Sequence, residues 1–219
     1  MIHKEQIIFI LLLFCLTSFA QPKQKSNLEI FEQTISAEIE KYFYYPGIDR
    51  VHLFIFIVNT GSLADEKKNN ESIKFLVNLL KKTSSNNNLK FSIAYDSAGV
   101  KADSGYYLFR LKPIKLETAY PGFRKNNFLG EKTLNRSITA RIDVTVKDPD
   151  NNLILKGTIN VDHNDEINYD NYESLESPTY DFTHGRAPHV SSIESIFFPL
   201  LLITASAFAT ILFFTIRTR

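Results

Sequence analysis

Apolar residues recur along the chain with more than one period, and each period predicts an element. After Ser26, the residues Leu28, Phe31, Ile35, Ile39 and Tyr42 return every three or four positions, while Glu32, Glu38, Glu40 and Lys41 fall off that stripe. This is the pattern of an amphipathic helix, and Ser26 and Glu29 have the spacing of a capping box. Pro46 in "YYPG" ends it, because the residue before a proline is pushed out of the helical region. "VHLFIFIV", residues 51–58, is a continuous run of β-branched and aromatic side chains. Such a run predicts a central strand covered on both faces, with His52 as a satisfied core residue. Asn70 is placed to cap a second helix over 71–82, whose Ile73, Leu76, Val77 and Leu80 share a face, and "LKFSIAYD", 89–96, predicts the next strand.

From residue 105 the period changes to two. "GYYLFRLKPIKLE", 105–117, reads as a strand in which Pro113 predicts an edge or a bulge. "RSITARIDVTVKD" alternates without a miss, with Ile138, Ala140, Ile142, Val144 and Val146 on one face. "DPDNN" turns the chain and "LILKGTINV" returns it with Leu153, Leu155, Ile159 and Val161 inward, a β-hairpin. Residues 119–134 read as a long loop. Its "YPGF", like "YPGI" at 45–48, sets up a type II turn. The fold class is therefore α/β (α+β): a single mixed sheet of about five strands with two or three helices, ending in a C-terminal hairpin.

The two ends of the chain read differently from its middle. Lys4, an apolar run over 7–16 and the small residues Ser18 and Ala20 form a secretory signal cut after Ala20. Near the other end, 196–216 is a run of 21 residues without a charge, matching the roughly 20 needed to cross a bilayer. Pro199 falls in its first turn, where its missing N–H costs little. Arg217 and Arg219 follow and set the tail on the cytoplasmic side. Ala205 and Ala209 are spaced so that two such helices could approach, although ordinary membrane composition gives the same pair. The expected order is a signal over 1–20, an extracytoplasmic domain over 21–177, a juxtamembrane stem over 178–195, a transmembrane helix over 196–216 and a tail over 217–219. A bacterial inner membrane, with the domain in the periplasm, is the expected address.

Composition narrows the chemistry. The only cysteine, Cys15, lies in the signal, so the mature chain holds no disulfide, thiol nucleophile or cysteine-ligated metal. The overall balance of +1 hides a division: 101–141 carries nine basic and three acidic residues, and 143–194 three basic and eleven acidic. Arg110, Lys112, Lys115, Arg124, Lys125 and Arg136 are the candidate partner-binding residues, able to meet an anionic surface. A solvated strand face is the alternative, and nucleic acid is not an expected partner at this address. "DHNDEINYDNYESLESPTYD", 162–181, holds seven carboxylates. Counted from Asp162, its oxygen side chains match a calcium loop, but Ile167 stands where the sharp turn needs glycine. The competing reading anchors Ile167, Tyr169, Tyr172, Leu175 and Tyr180 on the domain, with a short helix over 168–176 and an acidic stem after Pro178. His184 and His189 could join Asp181 on zinc, yet a zinc site wants three or four well-held ligands. "GSLADEKK" lacks the glycine and Lys-Ser/Thr pair of a phosphate cradle, and no G-x-S-x-G elbow occurs. No catalytic, metal or cofactor residue is assigned.

The order helix, strand, helix, strand, followed by "DSGYYLFRL" and "RSITARIDVTVKDPDNNLIL" with the paired Tyr106 and Tyr107, resembles the periplasmic α/β domains of the curli-secretion and penicillin-binding-protein-activator type over residues 28–161. The chain departs from them in having a C-terminal apolar helix in place of an N-terminal lipid anchor. The resemblance implies a non-enzymatic module that docks on envelope machinery or self-associates, and carries over no site residue. The alternatives are a cation-dependent receptor or enzyme using 162–181, and an anchored envelope hydrolase.

Overall fold

The computed structural model describes residues 24–59, 66–94, 105–125, 131–188 and 192–217. The signal over 1–20 and His189 lie outside them. The chain divides into two units, 1–185 and 186–219.

In the first unit, helix α1 (Asn27–Phe43) opens with the expected capping box: Ser26 Oγ accepts from Glu29 N, and the Glu29 carboxylate accepts from Ser26 N. Strand β1 (Leu53–Val58), helix α2 (Glu66–Asn86) and strand β2 (Phe91–Ala94) follow. Helix α2 begins four residues before the predicted cap at Asn70. Strands β3 (Tyr106–Lys125), β4 (Lys132–Lys147) and β5 (Leu153–Asn168) complete one mixed sheet in the order β2-β1-β3-β4-β5. Strand β1 pairs in parallel with β2 and β3, and the β3-β4-β5 half is antiparallel. Both helices bury one stripe against one face of the sheet. Ile35, Ile39 and Phe43 of α1 and Phe75, Leu76 and Leu80 of α2 share a core with Phe54, Phe56, Phe109, Ile138, Ile142 and Ile159. Phe43 is its aromatic centre, with ring centroids 6.0, 5.9 and 5.7 Å from Phe54, Phe56 and Phe109.

Several expectations need correction. Strand β1 is not covered evenly: Phe54, Phe56 and Val58 enter the core, and Ile57 is buried on the other face, but Leu53 there is 38% exposed. His52 is no core residue. The strand starts after it, so its half-exposed ring sits in the preceding turn, 3.4 Å from Asp49 and edge-on to Tyr107. The loop expected over 119–134 is mostly sheet, because β3 runs to Lys125 and β4 starts at Lys132. Its "YPGF" makes no type II turn. The ladder instead slips between Ala119 and Gly122, so Tyr120 and Pro121 form a bulge that adds the extra residue a twisted strand tolerates. The other Pro-Gly does turn, with Ile48 N donating to Tyr45 O at 3.1 Å and Gly47 at φ +92°, which glycine alone adopts freely. Pro113 sits at a second slip, as a missing donor requires. The hairpin forms, with Asn151 at φ +65° closing its turn. Leu153, expected inward, is 58% exposed, because the register shifts between Val146 and Lys147.

The acidic segment is structured. Residues 162–168 belong to β5, and a 3-10 helix spans Tyr169–Leu175 with Asn168 as its cap. A calcium loop cannot form there, since extended backbone replaces its turns. Ile167 and Leu175 are buried as expected. The packed unit also continues past Pro178, where the stem was expected: a short 3-10 turn, Asp181–Thr183, buries Phe182 and Thr183. Phe182 stacks edge-on against Phe31 and Phe75 at 5.1 and 5.2 Å.

In the second unit, Ser192–Arg217 is one helix of 26 residues, α3. Its side chains are described over 200–211 and at Thr215. Among the described residues no helix is long and apolar enough to cross a membrane, and the span over 196–216 is an expectation from the sequence alone.

Candidate interaction face

Alternation on β4 decides which cations share a surface. Its even-numbered residues from Leu134 to Val146 are buried beneath the helices and its odd-numbered ones face away. The ladder then aligns the outward residues into rows: Arg110 beside Thr145 and Lys156, Lys112 beside Asp143 and Thr158, Lys115 beside Arg141 and Asn160. Lys147 completes the group beside Leu108. The face opposite the helices thus carries Arg110, Lys112, Lys115, Arg141, Lys147 and Lys156 across three strands. Within these rows the one carboxylate is Asp143, which accepts from Thr158 Oγ1 at 2.8 Å. Arg110 is half-buried, and its Nε–H has no hydrogen-bond partner among the described residues. Further along, the same face turns acidic with Glu117, Asp162 and Glu166. Glu117 holds Lys115 at 2.5 Å and Glu166 meets Arg124 at 3.5 Å.

Of the six expected partner-binding residues, Arg110, Lys112 and Lys115 lie together in the basic rows. Arg124 lies on the same face at its acidic end. Lys125 pairs in register with Lys132 on the opposite face. Arg136 is a correction: it is 2% exposed and points under α1. Its Nε and Nη2 clasp both oxygens of Asp165, and Nη1 donates to Lys25 O at 2.8 Å and Asn27 Oδ1 at 2.9 Å. An arginine so occupied has little left for a partner. Arg141, Lys147 and Lys156 are not among the six, although the alternation of β4 puts Arg141 and Lys147 outward, and that of β5, with Ile159 and Val161 inward, does the same for Lys156.

Arg136 belongs to a buried polar chain that crosses the fold. Asn27 is fully buried at the start of α1, and its Nδ2 donates to Tyr120 Oη at 2.9 Å and Thr183 O at 2.7 Å. Tyr120 lies 3.2 Å from Glu176 Oε1, which also accepts from Gly185 N at 2.9 Å. Burial, helped by the neighbouring Glu176, pushes the Tyr120 phenol up to about 12. It therefore stays a donor to Glu176 at any physiological pH. A Cβ on Gly185 would come within 2.7 Å of the Tyr120 ring, so glycine is required where the chain leaves the domain. Burial pushes Asp165 up, but the bonds and charge of Arg136, with His163 adding to them, outweigh it and hold the carboxyl below its usual range.

Beside this chain is a cleft of about 340 Å³ lined by Gln24, Lys25, Gln33, Thr34, Arg136, His163 and Asp165. Its polar groups mostly serve one another: Lys25 donates to Gln33, and Asp165 neutralises Arg136. His184, weighed as a zinc ligand, has Nε2 2.7 Å from Ser177 O and Nδ1 3.6 Å from Glu176. No group of metal-ligating side chains occurs among the described residues.

No protein-family model and no curated protein sequence matches the chain. Among solved structures it is similar to a neuraminyllactose-binding hemagglutinin homolog from Helicobacter pylori, with 16% identity over 57% of this chain and 73% of that one and a TM-score of 0.36. A likeness at that level carries no function across.

Proposed function

We propose that the protein is a single-pass, membrane-anchored, extracytoplasmic interaction module of the cell envelope, non-enzymatic, which docks an acidic protein surface on the basic face of β3-β4-β5. The observation that carries this reading is the register: it gathers cations from residues 110 to 156 onto one side of the sheet. These side chains spread over a pleated surface and converge on no point, which suits long-range steering and charge complementarity better than bond-making. The uncharged run over 196–216 supports the anchor. In the described part of α3, Thr204, Ser206, Thr210 and Thr215 each return their hydroxyl to a carbonyl of the same helix, at 2.8–3.0 Å. A helix that satisfies its own polar groups suits hydrocarbon. The resemblance of residues 28–161 to periplasmic docking domains points the same way.

The test is crosslinking in whole cells from a photoreactive residue at Thr145, followed by tag purification. A specific partner with an acidic contact segment is expected. Its capture should fall at least tenfold in the Lys112→Glu/Arg141→Glu variant at unchanged protein level. Capture indifferent to charge reversal, or no crosslinked partner, would overturn the reading.

A further inference from the structure

Strand β5 lies at the end of the sheet order, so one of its two backbone edges has no neighbouring strand among the described residues. It is 16 residues long, against four for β2 at the other end. Natural edges are blunted by brevity, proline, bulges or charge. Leu153–Asn168 contains no proline, and its one register shift lies at the hairpin end. Its inward charge, Asp165, is neutralised by Arg136, which leaves the outward Lys156, Asp162 and Glu166 to decide what the edge accepts. Along most of its length the free edge meets no other backbone. Side chains reach it at two places: Gln24 Oε1 accepts from Asn168 N at its last residue, and Asn160 Nδ2 donates to Thr158 O at 3.3 Å, a bond that a pairing strand would replace.

We infer that this edge pairs with β5 of a second copy, antiparallel about a two-fold axis at Ile159, making one sheet continuous through both protomers. The inference is independent of the basic-face reading. Pairing must keep helix-side residues opposite helix-side residues, which allows every second register only, because a one-residue slip exchanges the faces. Among those, the register centred on Ile159 sets Thr158 opposite Asn160 of the partner and Lys156 opposite Asp162 of the partner, twice by symmetry. Lys156 and Asp162 are both exposed on the outward face, and neither makes a hydrogen bond or ion pair among the described residues. Unlike charges directly opposite stabilise a sheet and like charges destabilise it. The neighbouring register centred on Asn160 would set Lys156 opposite Asn164 and Asp162 opposite Thr158, with no charge pair. The one centred on Val161 would match Lys156 with Glu166, but that carboxylate already meets Arg124. Centring on Asp162 would oppose two like charges.

The experiment uses the full chain in membranes, with Cys15→Ser as background. Thr158→Cys in one tagged copy and Asn160→Cys in a differently tagged copy should form a disulfide on mild oxidation, since directly opposed residues lie within disulfide reach. Either variant expressed alone should give several-fold less dimer. Lys156→Asp or Asp162→Lys, made in both tagged copies, should each cut the mixed crosslink several-fold, and the double exchange should restore it. A crosslink insensitive to both reversals, a failure of the double exchange to rescue, crosslinking only to another protein, or no crosslink in a chain of unchanged melting temperature would each overturn the pairing.

Discussion

Arg136 shows how little of a residue's role its type declares. Its guanidinium is fully buried and holds Asp165 on β5, the Lys25 carbonyl and Asn27 at the start of α1. A buried arginine left without its carboxylate bears an uncompensated charge. Because Asp165 is one-third exposed, water recovers part of that loss, and Asp165→Asn should cost about 2–3 kcal/mol at neutral pH. The Asp165 carboxyl titrates below its usual range in the folded chain. Its contribution is therefore present above the unfolded carboxylate pKa, about 3.9, and is lost as pH falls through the lower folded value. Denaturant titrations at pH 7 and pH 3 check this: the gap between wild type and Asp165→Asn should narrow clearly at pH 3, and an equal gap at both would contradict it. The alternation around Arg136 was legible, since it shares a face with Ile138 and Ala140. Its role was not, because a cation on an apolar face is explained only by the partner that chain folding brings to it, 29 residues away in Asp165.

At the scale of elements, periodicity read most of the fold. Strict alternation in β4, the capping box of α1 and the turn at "DPDNN" each act over a few residues, and each appears where local chemistry puts it. What local signals could not show was how far an element continues once tertiary contacts support it. Strand β3 absorbs Tyr120 and Pro121 as a bulge, and the chain after Pro178 folds back because Phe182 finds a gap between Phe31 and Phe75. Phe182 is 5% exposed, and the turn around it is closed by Thr183, whose hydroxyl donates to Tyr180 O at 2.7 Å and accepts from Ser177 N at 2.9 Å. Phe182→Ala should therefore cost about 3 kcal/mol, the low end for a buried phenylalanine because the turn sits at the domain margin. Hydrogen exchange gives a second readout: the amides of Gly185 and Thr183 should lose protection in that variant while those of β4 keep theirs. An unchanged melting temperature would return residues 178–185 to the status of a solvated stem.

For the whole molecule, the consequence of the charge pattern depends on which compartment the domain occupies. The mean balance of +1 conceals a sheet face with a basic end at Arg110 and Lys156 and an acidic end at Glu117 and Asp162. Such a face is suited to steering a partner in the same compartment. Our reading of the ends predicts an N-terminus at Gln21 after cleavage and a domain outside the cytoplasmic membrane. The h-region over 7–16 is about half the length a bilayer span requires, and Ser18 and Ala20 supply the small residues a signal peptidase accepts. Mass spectrometry of the chain extracted from membranes should therefore find Gln21 as its first residue, and Ala20→Phe should leave a longer chain. The mature chain would then contain no cysteine, so Asn160→Cys supplies a single exposed thiol on β5. In intact spheroplasts a membrane-impermeant maleimide should label that thiol as completely as it does after lysis. A thiol reached only after lysis would place the domain inside, and would remove the envelope partner from consideration along with it.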